Sequence, residues 1–364
     1  MGLQIYSSTI DMPRAAALGE VLAAVPADRV CGVVVCGTSE EVEYHDLLGQ
    51  VKAVVYRELG RRVPVTLIPQ RLLPTGGLAV EIYALDGDEA IRFGEHEGVC
   101  YGIAEGGEML FVEGIPAADF AASVAQQSGE VFAKLDALLA KHGFAVDDIV
   151  RQWNYIGSIV SYKGSKQNYQ EFNDARSAYY AKGQWQNGYP AATGIGAEGE
   201  GIIVGGIAFK CEGCIFPIDN PLQVAAHVYS KRVLVDDDAN AVKSTPKFER
   251  AKLIERAGGA CCFVSGTAAI RGEESVDASS AAMQTVRTIE NIEYLVSKEN
   301  LVRFGCKPYE LKYVRLHVFV KEAEDYDAVR EVVEKAYPHI PVVYSIADVC
   351  RQELLVEIEG ILIA

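Results

Sequence analysis

The chain has 364 residues, 49% of them hydrophobic and 23% charged, which is the balance of a globular protein long enough for two or three domain-sized units and excludes a disordered one. A formal charge of −16 excludes nucleic acid and anionic membranes as partners, because both need a net basic face to release counterions, so an anionic ligand must be held by a few pocket arginines. The opening MGLQIYSSTIDMPRAAALGEV lacks the apolar core of a signal peptide, and no run approaches the about 18 apolar residues that span a bilayer, so a cytoplasmic protein is expected.

In chain order, apolar spacing of three and four over His45–Gly60 predicts a helix, followed by the strand-like VPVTLIP and LAVEIYAL. EGVCYGIA and EMLFVEGI then form a strand pair ahead of a helix over Phe120–Leu139. A strand over Asp148–Ile159, a helix over Asn168–Gly183, the segment YPAATGIG and the closing strand GIIVGGIAF complete this unit. The order then returns. GIIVGGIAF and GACCFVSGTA are the strand pair, and a helix over Ala281–Val296, a strand over Leu311–Val320, a helix over Asp325–Tyr337, IPVVYSIADVC and the closing LLVEIEGILI follow. A repeated order of elements is the signature of duplicated modules. The expected fold class is therefore α+β, with mixed sheets packed by helices in modules over 1–95, 96–215 and 216–364, the first the most divergent.

Superposing the closing strands LLVEIEGIL and IIVGGIAFK places Glu357 against Gly205 and Arg351 against Gly199. A duplicated fold needs only its core positions in each copy, so an Arg and a Glu kept in one copy mark a site; the competing reading is a surface ion pair. Strand alternation puts Glu357 and Glu359 on one face and Val356 and Ile358 on the other. If the acidic face lines a cleft, desolvation raises a carboxyl pKa and makes a proton donor. Arg351 offers a planar fork for a carboxylate, with Arg232, Arg176 and Arg315 as further candidates. Asp236–Lys247 is polar and turn-rich and reads as a surface loop.

Nine cysteines, an odd number, fit reduced thiols, and the lone Cys211-x-x-Cys214, without a second ligand pair, reads as two buried thiols at a strand end rather than a zinc site. TGIGAEGEG does not match a phosphate-binding loop, and H-E-x-x-H, G-x-S-x-G and kinase signatures are absent from the sequence. Metal-assisted and serine-triad hydrolysis lose ground accordingly, and no metal or cofactor is expected.

The order of elements, with a small-residue-plus-Arg turn before an apolar strand carrying E-I-E, resembles the YjgF/RidA family, whose members are trimers of one module with ligand sites in the clefts between neighbours. Three such modules imply a pseudo-trimer within one chain, either as a monomer or as part of a homotrimer. A more specific set of motifs runs from about Tyr155 to the end: YQEFNDARSAYY, YPAATGIG, Tyr229-x-x-Arg232 followed by P-x-F-x-R-A from Pro246, FVSGTAAIRGEESV, Q-T-x-x-T-x-x-N-I from Gln284, and ADVCRQELLVEIEG. In number and order these resemble the chorismatases, enzymes that remove pyruvate from chorismate. The resemblance implies that Glu357, seven residues after the cysteine of the last motif, is the catalytic acid/base that protonates the enolpyruvyl methylene. It also implies that Arg351, Tyr229, Arg232, Arg176 and Tyr155, with Thr267 and Ala268, contact the substrate and its two carboxylates.

Within that family some members hydrolyse the ether to a dihydroxycyclohexadiene carboxylate and others aromatise the ring to a hydroxybenzoate. A cysteine at the position of Cys350, activated by neighbouring Arg351, points to 3-hydroxybenzoate. Ala268 points to hydrolysis, so the product stays open. Two departures bear on the substrate: Glu273 stands where a histidine is expected, and the Tyr-Arg-Tyr-Pro run is altered at Tyr229-Ser-Lys-Arg232-Val. The competing readings are an imine or enamine deaminase using Arg351 and Glu357, and a non-catalytic module that senses a small aromatic or keto acid.

Overall fold

Three closing strands of related sequence, Leu78–Leu85, Ile202–Phe209 and Val356–Ile363, each lie inside a separate sheet, flanked on both sides. The computed structural model describes residues 3–10, 15–39, 41–74, 76–85, 90–104, 106–230, 244–256 and 258–364. The first sheet has four strands in the order Leu3–Ile10, Leu78–Leu85, Val30–Cys36, Val65–Ile68. The second has six, Ala191–Ala197, Ile149–Gly157, Ile202–Phe209, Met109–Pro116, Val99–Ala104, Ile91–His96. The third also has six, Ile215–Ile218, Ala251–Arg256, Gly259–Ala268, Val356–Ile363, Lys312–Val320, Val342–Ile346. In every sheet the closing strand runs antiparallel to both neighbours, one of which pairs in parallel with an outer strand. The fold is mixed α+β.

Each sheet buries one face under its own helices, which the alternation of the strands and the helical apolar spacing require. Val124–Lys141 and Asn168–Tyr180 cover the central sheet, and Ala281–Leu295 and Tyr326–Ala336 the C-terminal one. The first of these helices begins four residues later than its apolar pattern suggests. Ser123 and Gln126 form a capping box, in which the serine hydroxyl accepts the Gln126 N–H and the glutamine side chain accepts the Ser123 N–H, fixing the start at Val124.

Two expectations are corrected. The strand that pairs with Gly259–Ala268 ahead of the last long helix is Ala251–Arg256; Ile202–Phe209 belongs to the central sheet. AKLIER carries Lys252 buried between apolar neighbours, its ammonium donating to the Asn187 and Gly188 carbonyls, so its polarity hid a strand that is 1% exposed at that lysine. Cys211 and Cys214, expected as thiols, are joined in a disulfide in the turn after the central closing strand, with Cα atoms 5.8 Å apart. Among the described residues no helix is long and apolar enough to cross a membrane.

Candidate active site

Val356 and Ile358 turn into the C-terminal core, which forces Glu357 and Glu359 to the opposite face, toward the central sheet. There, a cavity of about 420 Å³ opens between the two sheets. Tyr169, Ala192 and Gly194 form its central-sheet wall; Glu357, Cys350, Arg250 and Tyr229 stand on the C-terminal side, with Gly266 and Ala268 from the neighbouring strand. Both walls come from one chain. The pairing between Gly259–Ala268 and the closing strand is irregular between Val264 and Thr267, and Gly266 sits in that bulge. A Cβ at Gly266 would run into Glu357 Oε1, so glycine is what leaves the carboxyl its place.

Glu357 is 5% exposed and, among the described residues, has no hydrogen bond or ion pair. A buried carboxyl without a partner keeps its proton. Burial, reinforced by the Glu359 charge and opposed by Arg250 and Arg151, pushes its pKa up to about 8. Glu359 is its opposite. Burial disfavours its charge, but Arg315 and Arg151 outweigh that and hold it down to about 2. Two carboxyls on one strand face are thus driven apart, Glu357 toward its protonated form and Glu359 toward its ionised form.

Among the described residues that line the cavity, Arg250 is the cation. It is 3% exposed, its Nη2 donates to the Tyr229 hydroxyl at 2.6 Å and to the Val224 carbonyl at 2.9 Å, and its Nε has no partner among the described residues. Among the described residues no carboxylate neutralises it, so a carboxylate ligand would complete it. Arg250 appears inside the P-x-F-x-R-A motif, and its placement followed from the AKLIER strand that polarity hid.

The other expected residues are distributed as follows. Tyr229 lies between two guanidinium groups, 5.7 Å from Arg250 and 5.3 Å from Arg351. Arg351 donates to the Glu273 carbonyl and the Ser275 hydroxyl, so it braces the wall behind Tyr229 instead of lining the cavity. Glu273 turns its carboxylate to Ser230, away from the cavity. Arg176, 1% exposed, donates to Asn173 and sits behind Tyr169. Thr267 points the other way from Gly266 and Ala268 and bonds the Ser265 carbonyl. Tyr155 lines a different, mainly apolar cavity of about 530 Å³ between the N-terminal and central sheets, together with Trp153, Gly205 and Arg315. Arg232 and the stretch 236–243 lie outside the described residues.

Cys350 is in the cavity wall but not as a thiolate. Burial and the nearby Glu357 push the thiol up to about 12, and the lowering by Arg351, in the expected direction, and by Arg250 is outweighed. Among the described residues no cluster of three or more His, Cys, Asp or Glu could hold a metal ion.

The family described as Chorismatase FkbO/Hyg5-like, N-terminal, matches residues 83–208. A 3-hydroxybenzoate synthase of Streptomyces hygroscopicus is 32% identical over 298 residues, spanning 79% of this chain and 82% of its own. A chorismatase of Streptomyces rapamycinicus is 32% identical over 275 residues, spanning 74% and 78%. A chorismatase crystal structure superposes over 99% of this chain and 98% of its own with a TM-score of 0.76 at 23% identity, so the whole fold is shared. On similarity of this extent to curated relatives the chain belongs to the chorismatase family.

Proposed function

We propose that the protein converts chorismate to pyruvate and 3-hydroxybenzoate, with Glu357 as the proton donor. The observation that carries this reading is a buried carboxyl, kept neutral by burial and unpaired among the described residues, facing a cavity that also holds an arginine with no described carboxylate partner. Chorismate carries two carboxylates, and Arg250 with Tyr229 receives one of them. Glu357 gives its proton to the enolpyruvyl methylene, leaving an oxocarbenium centre beside the ether oxygen. Capture of that centre by the ring hydroxyl at C4, whose proton passes to the Glu357 carboxylate, gives a cyclic ketal. Loss of the proton at ring C3 with cleavage of the C4–O bond, the departing oxygen taking the hydroxyl proton back from Glu357, then makes the ring aromatic, and collapse of the hemiketal left on the C3 oxygen, its hydroxyl proton passing to that oxygen, releases pyruvate. No water is consumed, and the Glu357 carboxylate is reprotonated by the proton from C3. Capture of the same centre by water would give the diene diol instead.

Cys350 and Ala268 border this step. As a neutral thiol, Cys350 fills space beside Glu357 and helps keep water from the oxocarbenium centre. Cys350→Ala is therefore expected to release pyruvate at a rate within about tenfold of wild type while the ring product moves from 3-hydroxybenzoate toward the diene diol, as chromatography of the products would show. An unchanged product with the variant would remove Cys350 from the aromatising step. Because the acid acts in its protonated form, the rate should be flat at neutral pH and fall about tenfold per unit above a pKa near 8. The direct test of the function is incubation with chorismate: pyruvate with 3-hydroxybenzoate supports the reading, and no pyruvate ends it.

A further inference from the structure

Glu359 is fully buried, and four donors converge on it. Arg151 Nη2 approaches at 2.6 Å, Arg315 Nη1 at 2.5 Å and Trp153 Nε1 at 3.2 Å, and the Thr193 hydroxyl donates as well. Arg151, Trp153 and Thr193 come from the central sheet and Arg315 from the C-terminal sheet, while Arg315 is tied in turn to Glu81 of the N-terminal sheet at 2.7 Å. So many donors are more than a buried carboxylate needs to be tolerated. The arrangement leaves Glu359 without freedom to move or to take a proton.

The same cluster reaches the cavity. Thr193 Oγ1, besides donating to Glu359, accepts the Gly266 N–H at 3.1 Å and Arg151 Nη2 at 2.7 Å. Gly266 is the residue against which Glu357 Oε1 rests. Glu357 and Glu359 are two positions apart on one strand face, about 7 Å by strand geometry. We infer that Glu359 is a positioning residue for the reaction: a fixed negative charge, locked by all three sheets, that keeps the proton on Glu357 and, through Thr193 and Gly266, sets where that carboxyl stands. This rests on the proposed role of Glu357 as acid.

Other charged groups around Glu357 are accounted for. Arg250 and Arg151 pull toward its ionised form. Cys350 and Tyr169 face it as neutral groups, with Arg351 and Glu353 on the segment of Cys350 and Arg176 behind Tyr169. On the paired strand Lys312–Val320, Arg315 and His317 lie on the Glu359 side, and burial with the Arg315 charge keeps His317 neutral, down to about 3. The strand Gly259–Ala268 brings Gly266 and Ala268 and no charge. Glu359 is thus the anion that offsets the two arginines.

The test titrates Glu357 itself. The neutral-carboxyl infrared band is followed against pH in wild type, Glu359→Gln, Thr193→Val and Glu81→Gln, each as the difference from its own Glu357→Gln counterpart, alongside the pH profile of pyruvate release. Glu359→Gln should lower the Glu357 midpoint by about one pH unit or more, with the alkaline limb of kcat/KM moving down equally. Thr193→Val should move both the same way by less, and it decides the matter if Glu359→Gln does not fold. Glu81→Gln removes a charge from the same cluster on the side away from the cavity and should lower the melting temperature without moving the midpoint. A midpoint unmoved in Glu359→Gln, or moved as far by Glu81→Gln, would overturn the inference and leave Glu359 a structural residue. Absence of pyruvate release from wild type would instead sink the functional reading, while the infrared midpoint would still test the role of Glu359.

Discussion

Glu357→Gln is expected to lower kcat for pyruvate release about a thousandfold, some 4 kcal/mol of transition-state stabilisation, with little change in KM. Glutamine keeps the shape and the dipole but cannot give up a proton, and among the described residues no other carboxyl lines the cavity with Glu357. Stability should respond in the opposite sense. The folded-state pKa of Glu357 is raised from an ordinary 4.5 to about 8, so the protein holds the proton more tightly when folded, and its stability falls as pH rises between those values. Glutamine does not titrate. The variant should therefore match wild type in melting temperature at low pH and exceed it near pH 8, which also shows that lost activity is not lost folding.

Gly266→Ala is expected to cost about a hundredfold in kcat/KM, because the added methyl occupies the space of Glu357 Oε1 and displaces the carboxyl by the order of an ångström. Thr193 Cγ2, 3.2 Å from the same point, closes the other direction of escape. Overpacking there should destabilise the fold by only about 1–3 kcal/mol. A folded variant of near wild-type activity would mean that the position of Glu357 is not set by Gly266. Steady-state kinetics with thermal unfolding separates the two effects.

The repeat was legible because it is written in core positions. V-E-I in LAVEIYAL and in LLVEIEGIL mark closing strands that take the same place in their sheets, and alternation alone sent Glu357 and Glu359 to one face. The superposition of closing strands also leaves Glu81 where Glu357 stands in the last sheet, but Glu81 is bound by Arg315, and a sequence gives no sign of which carboxyl meets an arginine 234 positions away. Arg250 and Lys252 were harder still. Polar residues buried inside a strand erase the alternation that reveals it, and their compensation comes from the carbonyls of Val224, Asn187 and Gly188 in loops. Arg351 was read as a ligand because only one copy keeps it and its fork suits a carboxylate, yet in the loop before the closing strand its described partners are the Glu273 carbonyl and the Ser275 hydroxyl. The state of Cys350 was not legible either, because burial dominates its pKa and burial is a property of the assembled sheets.

The claim that a neutral Glu357 drives the reaction is tested most directly by kcat/KM for pyruvate release from chorismate, measured in wild type from well below to well above pH 8. The account predicts a plateau at neutral pH and one ionisation near 8 above which the rate falls, with Glu357→Gln showing only a low, pH-independent remainder. A rate that rises through that region, or a Glu357→Gln enzyme with the wild-type profile, would contradict it.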